Sequence, residues 1–338
     1  MSLTISIDAM GGDHGPSVVI PAAISALKTH PDVRFILVGD QDVVKAELEK
    51  NNMIGDEHFI IHHASQIVEM DESPALALRG KKDSSMRVSI NLVKEGTANA
   101  CVSAGNTGAL MATARFVLKT LPGIERPAII SELPTMTGHS YVLDLGANVD
   151  SSAEHLVQFA VMGSILSHLV DKIEKPRVAL LNIGAEEIKG NERVKEAARL
   201  LAETNLNYVG FVEGDGLYRG EVDVVVCDGF VGNVALKSSE GVVHMISHFL
   251  RKEFNRNIFT KLAGLIASPI LKRFKSELDP RAHNGANFIG LQGIVIKSHG
   301  GTDAIGFANA IKIAIIEAEQ DVPNKICHYL EDLLEGQA

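Results

Sequence analysis

Asp8-Ala9-Met10-Gly11-Gly12-Asp13-His14-Gly15 packs two carboxylates, an imidazole and three glycines into one turn, directly after an apolar run. Four later runs break off in the same way. They are Ser103-Ala104-Gly105-Asn106-Thr107-Gly108, Asn182-Ile183-Gly184 leading to Lys189-Gly190-Asn191, Cys227-Asp228-Gly229-Phe230-Val231-Gly232-Asn233, and Lys297-Ser298-His299-Gly300-Gly301-Thr302-Asp303. Each then turns helical. Glycine lets a backbone approach a ligand closely, and the free N–H groups of a helix start attract anions. The five turns together point to one composite site for a phosphate-bearing or oxyanionic substrate.

Gly11, Gly12, Ser103, Gly105, Thr107 and Gly108 are the candidate anion-binding residues, with Asn106 or Thr107 capping the helix that follows. Lys189, in a glycine-bounded loop, offers a charge to phosphate or to a developing oxyanion. His299 is placed as a donor or general acid. Asp228 fixes a strand-end turn or touches the substrate, and Asn233 is a candidate N-cap. Asp8 and Asp13 read either as a Mg²⁺-holding pair or as caps of the next helix, and no other acid cluster completes a coordination sphere. His244 and His248 have metal-pair spacing without the glutamate of H-E-x-x-H.

Other chemistries lack their residues. No Gly-Lys-Ser/Thr follows the Gly105 turn, no G-x-S-x-G is present, and Gly214-Asp215-Gly216 leads into a strand instead of a helix. Cys101, Cys227 and Cys327 are widely separated, which weighs against a disulfide framework or a zinc site and fits a reducing cytosol. With no evident covalent nucleophile, the expectation is direct transfer between two bound substrates, without cofactor or metal.

The elements that must position these turns alternate between strand and helix over most of the 338 residues. That alternation predicts an α/β protein with a mainly parallel sheet, whose loops gather at one sheet edge. No linker, repeat or low-complexity tract divides the chain, so residues 1–338 read as a single domain. A net charge of −10 argues against a nucleic-acid binder. No long apolar span or leader pattern is visible, and a cytoplasmic location is expected.

One segment departs from the acidic average. Between Arg251 and Lys275 stand seven basic residues against one acid, Glu253. Ile258, Phe259, Leu262, Leu265 and Ile266, then Ile270, Leu271, Phe274 and Leu278, fall at helical spacing. This reads as a basic amphipathic helical arm at about 251–280, a hairpin bending at Pro269. It packs on the core or on a second subunit, or it lies against a membrane surface or an acidic partner.

In this order, the turns resemble the bacterial phosphate acyltransferase family, PlsX, over nearly the whole chain, Ile5 to Ile316. Arg126-Pro127-Ala128, Asp144-Leu145-Gly146-Ala147-Asn148 and Val212-Glu213-Gly214 add to the resemblance. Its last loop departs mildly, with Gly301-Thr302 where the family pattern has a pair of serines. The resemblance implies a three-layer α/β/α sandwich like isocitrate dehydrogenases and phosphate acetyltransferases, to which the helical hairpin arm read above is added. It also implies a homodimer that transfers an acyl group from acyl carrier protein to inorganic phosphate for phospholipid synthesis, loosely associated with the membrane. Lys189 and the Gly105–Gly108 helix start would then hold phosphate and the tetrahedral oxyanion. Asn106, Asn233 and His299 would orient the thioester or phosphate, supported by Asp8 and Asp228. Arg79, Lys81, Lys82 and Arg87, or the arm, would steer an acidic carrier protein. Two alternatives compete: an NAD(P)-dependent dehydrogenase on a related fold, and a non-catalytic carrier-protein scaffold at the membrane.

Overall fold

A computed structural model describes residues 3–277 and 279–335. The strands in chain order are β1 (Thr4–Asp8), β2 (Arg34–Gly39), β3 (Phe59–His63), β4 (Ala100–Ser103), β5 (Ala128–Thr135), β6 (Gly138–Leu143), β7 (Val178–Leu181), β8 (Tyr208–Val212), β9 (Val224–Val226), β10 (Ala286–Ile289) and β11 (Ile294–Lys297). The helices are α1 (Pro16–Thr29), α2 (Gln41–Lys50), α3 (Pro74–Gly80), α4 (Ser85–Lys94), α5 (Thr107–Leu118), α6 (Ala153–Asp171), α7 (Glu192–Ala202), α8 (Gly229–Phe254), α9 (Ile258–Glu277), α10 (Ala304–Glu319) and α11 (Val322–Glu335).

Local chemistry starts most of these helices. Asp40, Ser84, Asn106, Ser152, Asn191, Asp228 and Asp303 each accept a backbone N–H of the first turn through the side chain. The β-branched runs between them form the strands. All the strands join one sheet in the order β3-β2-β1-β4-β11-β10-β5-β6-β9-β7-β8. Alternate residues feed opposite faces. Ile5, Ile7, Ile294 and Ile296 pack under α1 and α10, while Ile130, Leu143, Val224 and Val226 pack under α6 and α7 on the same side. Cys101, Val295, Phe288, Val142 and Val225 face the other side, against α4, α5 and the start of α8. Helices on both faces of a mostly parallel sheet make the three-layer α/β/α sandwich.

The sheet reverses direction in the middle, which corrects the expectation of one loop-bearing edge. β1, β2, β3, β4 and β11 are mutually parallel, as are β6, β7, β8 and β9. Between them, β10 pairs antiparallel with β11 and β5, and β5 antiparallel with β6. Three successive antiparallel pairings leave the two halves pointing in opposite directions. The loops after β1, β4 and β11 therefore lie on one edge, and those after β6, β7 and β9 on the other.

Two other expectations need correction. The arm does not bend at Pro269: α8 and α9 form the hairpin and turn at 255–257, where Asn257 Oδ1 accepts the Thr260 N–H at 3.0 Å and caps α9. Pro269 lies inside α9 on an exposed stretch, where water can satisfy the carbonyl that loses its donor. Asn233 is not an N-cap, because Asp228 caps α8 one turn earlier, accepting the Val231 N–H at 2.9 Å. The polar stretch 65–82 holds α3, and α11 follows α10 near the end of the chain. Leu278, assigned to the arm from spacing, lies outside the described residues.

Beneath α10 is a small cavity of about 40 Å³, lined by Ile130, Tyr141, Leu166, Ile313 and Glu317. Glu317 is 3% exposed, and its Oε2 accepts from Asn287 Nδ2 at 2.6 Å.

Candidate functional site

Neighbouring strands set three chemically distinct residues in one row. Ile7 pairs with Val102 and Lys297 with Ser103, so Asp8, Ser103 and Lys297 end β1, β4 and β11 side by side. Ser103 is fully buried, donates its hydroxyl to Asp8 Oδ2 at 2.7 Å, and accepts the Gly105 N–H at 3.0 Å. Asp8 is 1% exposed. Burial raises its pKa, opposed by the hydroxyls of Ser85 and Ser103 and by the N–H groups of Met10 and Gly11. Its Oδ1 has no hydrogen bond of ordinary geometry among the described residues.

The glycines are there because the loops interlock. A β-carbon on Gly11 would lie 2.5 Å from Asp8 Oδ2 and 2.9 Å from the Gly105 nitrogen. Gly12 has φ +85°, and its β-carbon would stand 2.9 Å from the Gly300 carbonyl oxygen. That same carbonyl accepts the Asp13 N–H at 3.0 Å, which ties the β1 loop to the β11 loop.

Lys297 is the residue that motif reading left out of the site. Its Nζ donates to the Ala104 carbonyl at 3.3 Å and to the Ser298 carbonyl. Burial pushes the ammonium down to about 8, against the pull of Asp8 and Asp13 and helped by repulsion from Lys237. The signal available in sequence was a lysine in the last position of a strand opening a Ser-His-Gly turn. His299 is exposed, and its Nδ1 accepts the Gly301 N–H at 3.2 Å. The proton of the neutral ring then sits on Nε2, available to a ligand.

Asn106 has both ends of its amide engaged. Oδ1 caps α5 at the Ala109 N–H, 3.0 Å away, and Nδ2 donates to the carbonyls of Met70 (2.9 Å) and Glu72 (3.0 Å). It clamps the 69–72 loop over the helix start. Thr107 and Gly108, at the exposed first turn of α5, present N–H groups with no partner inside the helix.

The opposite edge carries the second cluster. Asp144, buried and with its pKa raised by burial, accepts N–H groups from Ile129, Gly146, Ala147 and Asn148 at 2.7–3.1 Å, and so organises the turn after β6. Arg193 at the start of α7 reaches Asp150 at 3.4 Å and Asp228 at 4.0 Å, joining the loops after β6, β7 and β9. Asn182 Nδ2 donates to the carbonyls of Gly184 and Lys189, each at 3.2 Å, and cinches the Lys189 loop. Lys189 and Asn233 are exposed, and Asn233 lies against Gly146.

The fold thus separates the predicted residues into two groups: Asp8, Gly11, Gly12, Ser103, Gly105, Asn106, Thr107, Gly108 and His299 on one edge, and Lys189, Asp228 and Asn233 on the other. α8 spans the gap. It begins at the second cluster, and Lys237, one turn beyond Asn233, acts electrostatically on Lys297 of the first. The arrangement supplies cations, a ring N–H and free backbone N–H groups to an anion. Neither buried thiol is an activated nucleophile. Burial, aided by Asp8 near Cys101 and by Asp144 near Cys227, pushes both above the ordinary thiol range.

This is the fold of the phosphotransacylases. A phosphotransacetylase from Streptococcus pyogenes superimposes with a TM-score of 0.64 at 18% identity, over 94% of each chain. The family described as "Fatty acid synthesis protein" matches residues 3–325. Proteins named phosphate acyltransferase are similar over almost the full length: one from Nitrosococcus oceani is 62% identical (100% of this chain, 99% of that one), and one from Methylococcus capsulatus 60% (98% and 97%). The chain belongs to this phosphate acyltransferase family and is an acyltransferase.

Proposed function

We propose that the protein transfers a long-chain acyl group from acyl-[acyl carrier protein] to inorganic phosphate, giving acyl phosphate for phospholipid synthesis. The observation that carries this reading is an anion-seeking site without an activated nucleophile: Lys297, His299 Nε2–H and the Thr107 and Gly108 N–H groups lie at one sheet edge, where β4 and β11 end side by side, while both buried thiols are held protonated. Phosphate is itself an anionic nucleophile and a thioester already carries a good leaving group. Positioning and charge stabilisation then suffice. A phosphate oxygen attacks the thioester carbon, the carbonyl oxygen takes up negative charge, and the tetrahedral adduct collapses by breaking the C–S bond. The proton of monohydrogen phosphate ends on the carrier thiol, so acyl phosphate and free carrier protein leave. Lys189 and Asn233 belong to the cluster on the opposite edge, and in this reading Lys189 supports the oxyanion from there. Lys189→Ala should lower turnover roughly 10²-fold, the scale of losing one oxyanion donor; unchanged turnover would remove it from the site.

The α8–α9 hairpin supports the two finer parts of the reading. Met245, Phe249, Phe259, Leu265, Ile266 and Ile270 are exposed on it, a surface fit for pairing two copies into a homodimer or for lying on a membrane. No helix among the described residues is long and apolar enough to cross one.

The deciding experiment incubates the protein with long-chain acyl carrier protein, with and without phosphate, while free thiol is measured and acyl phosphate is trapped with hydroxylamine. Phosphate-dependent thiol release with hydroxamate formation supports the reading. Carrier binding without release favours the scaffold, and tight NAD(P) binding without release favours the dehydrogenase; either result overturns the proposal.

A further inference from the structure

Away from both clusters, Phe116 on α5 is 53% exposed and flanked by two cations. The Arg87 guanidinium carbon on α4 lies 5.1 Å from its ring centroid, and Lys119 Nζ lies 4.9 Å from it. Arg115 is exposed beside it. Among the described residues, none of Arg87, Arg115 and Lys119 has a carboxylate within ion-pair distance. Arg79 at the end of α3 and Lys82 in the turn to α4 add two more cations, likewise without one among the described residues. In a chain of net charge −10 this is a local excess of unneutralised cations around an apolar ring.

Exposed aromatics with arginine are the residues that anchor protein interfaces, and complementary charge sets the encounter rate and the choice of partner. The surface also has a fixed relation to the site. Phe116 sits on the helix whose first turn presents the Thr107 and Gly108 N–H groups, about 12 Å along the axis from Gly108 at 1.5 Å per residue. A partner seated on Phe116 is held beside the place where its thioester must be delivered.

We propose that the Phe116 face of α4 and α5 is the docking surface for the acidic carrier protein that brings the acyl group, an inference that rests on the acyl-transfer reading above. Phe116 supplies the apolar anchor, and Arg87, Arg115 and Lys119 meet carboxylates of the partner.

The test uses the full-length protein with fluorescently labelled acyl carrier protein, comparing wild type, Phe116→Ala and the Arg87→Glu/Lys119→Glu pair. Equilibrium binding is read by anisotropy, and turnover is measured in parallel with an acyl-pantetheine thioester that lacks the protein. Dissociation constants should rise roughly tenfold or more, as for truncation of an interface anchor. The wild-type constant should weaken with salt more steeply than that of the charge-reversed pair, and acyl-pantetheine turnover should stay at the wild-type level. Unchanged carrier affinity overturns the proposal. So does loss of vesicle flotation, or a shift in the oligomeric state, with carrier binding intact: those outcomes assign the face to a lipid surface or to a second copy. If all variants bind as expected while wild type transfers no acyl group to phosphate, the docking surface stands and the acyl-transfer reading fails.

Discussion

Glu317→Gln isolates one buried titration. Burial, reinforced by the nearby Glu132 charge, pushes the Glu317 carboxyl from its ordinary 4.5 up to about 8, although Asn287 donates to it. In the unfolded chain the same group ionises near its ordinary value. Between those two pH values the folded state holds a proton that the unfolded state has released. Stability is therefore fully present below about 4.5, falls as pH rises, and levels off above about 8. At about 1.4 kcal/mol per pH unit the window is worth about 5 kcal/mol. This is an upper bound, because the adjoining cavity of about 40 Å³ has room for water that would ease ionisation. The glutamine keeps an acceptor for Asn287 and cannot ionise. Urea unfolding of both proteins from pH 5 to 8.5 should show a gap that widens with pH, the variant gaining roughly 2–5 kcal/mol relative to wild type across the range. Parallel curves would mean that the native carboxyl ionises as an ordinary glutamate, and the burial argument would be refuted.

Two further perturbations probe the site itself. Ser103→Ala deletes the hydroxyl that Asp8 accepts and that Gly105 donates to, which should cost about 1–3 kcal/mol for a buried carboxylate losing its donor; a lower melting temperature together with a raised KM for phosphate is expected, and wild-type values for both would exclude the row as a support of the site. Lys297 loses its charge as pH rises through about 8, so activity should decline there, and Lys297→Arg should move that alkaline limb upward while Lys297→Met removes it along with most of the activity. An unmoved limb in the arginine variant would assign it to another group.

Several parts of this molecule are legible without coordinates because their causes are local. A side-chain oxygen capping a helix acts within three residues, so Asn106, one of the two caps offered for α5, marks its helix in the chain itself. Strand and helix periodicities are equally local, and they suffice for an α/β protein with glycine-rich strand-end turns. The same locality explains the errors. Asn233 has the residue type of a cap, but Asp228, five residues earlier, already caps the helix, and an exposed proline inside α9 looks in sequence like a bend.

What only the tertiary structure decided depends on pairings between distant segments. The direction of half the sheet follows from three antiparallel pairings, β10 with β11, β10 with β5 and β5 with β6, the second of which joins residues more than 150 positions apart. No turn signals the β10–β5 pairing, yet it decides which candidate residues share an edge. The Asp8–Ser103–Lys297 row likewise exists through strand register alone, joining positions 95 and 194 residues apart. Burial, the cause of the shifted Asp8, Lys297 and Glu317 titrations, comes from everything packed around them. The chain by itself determined the turn chemistry and the alternation of elements, because both act between near neighbours. Which turns meet, and with what charge, was decided only once distant strands had chosen their partners.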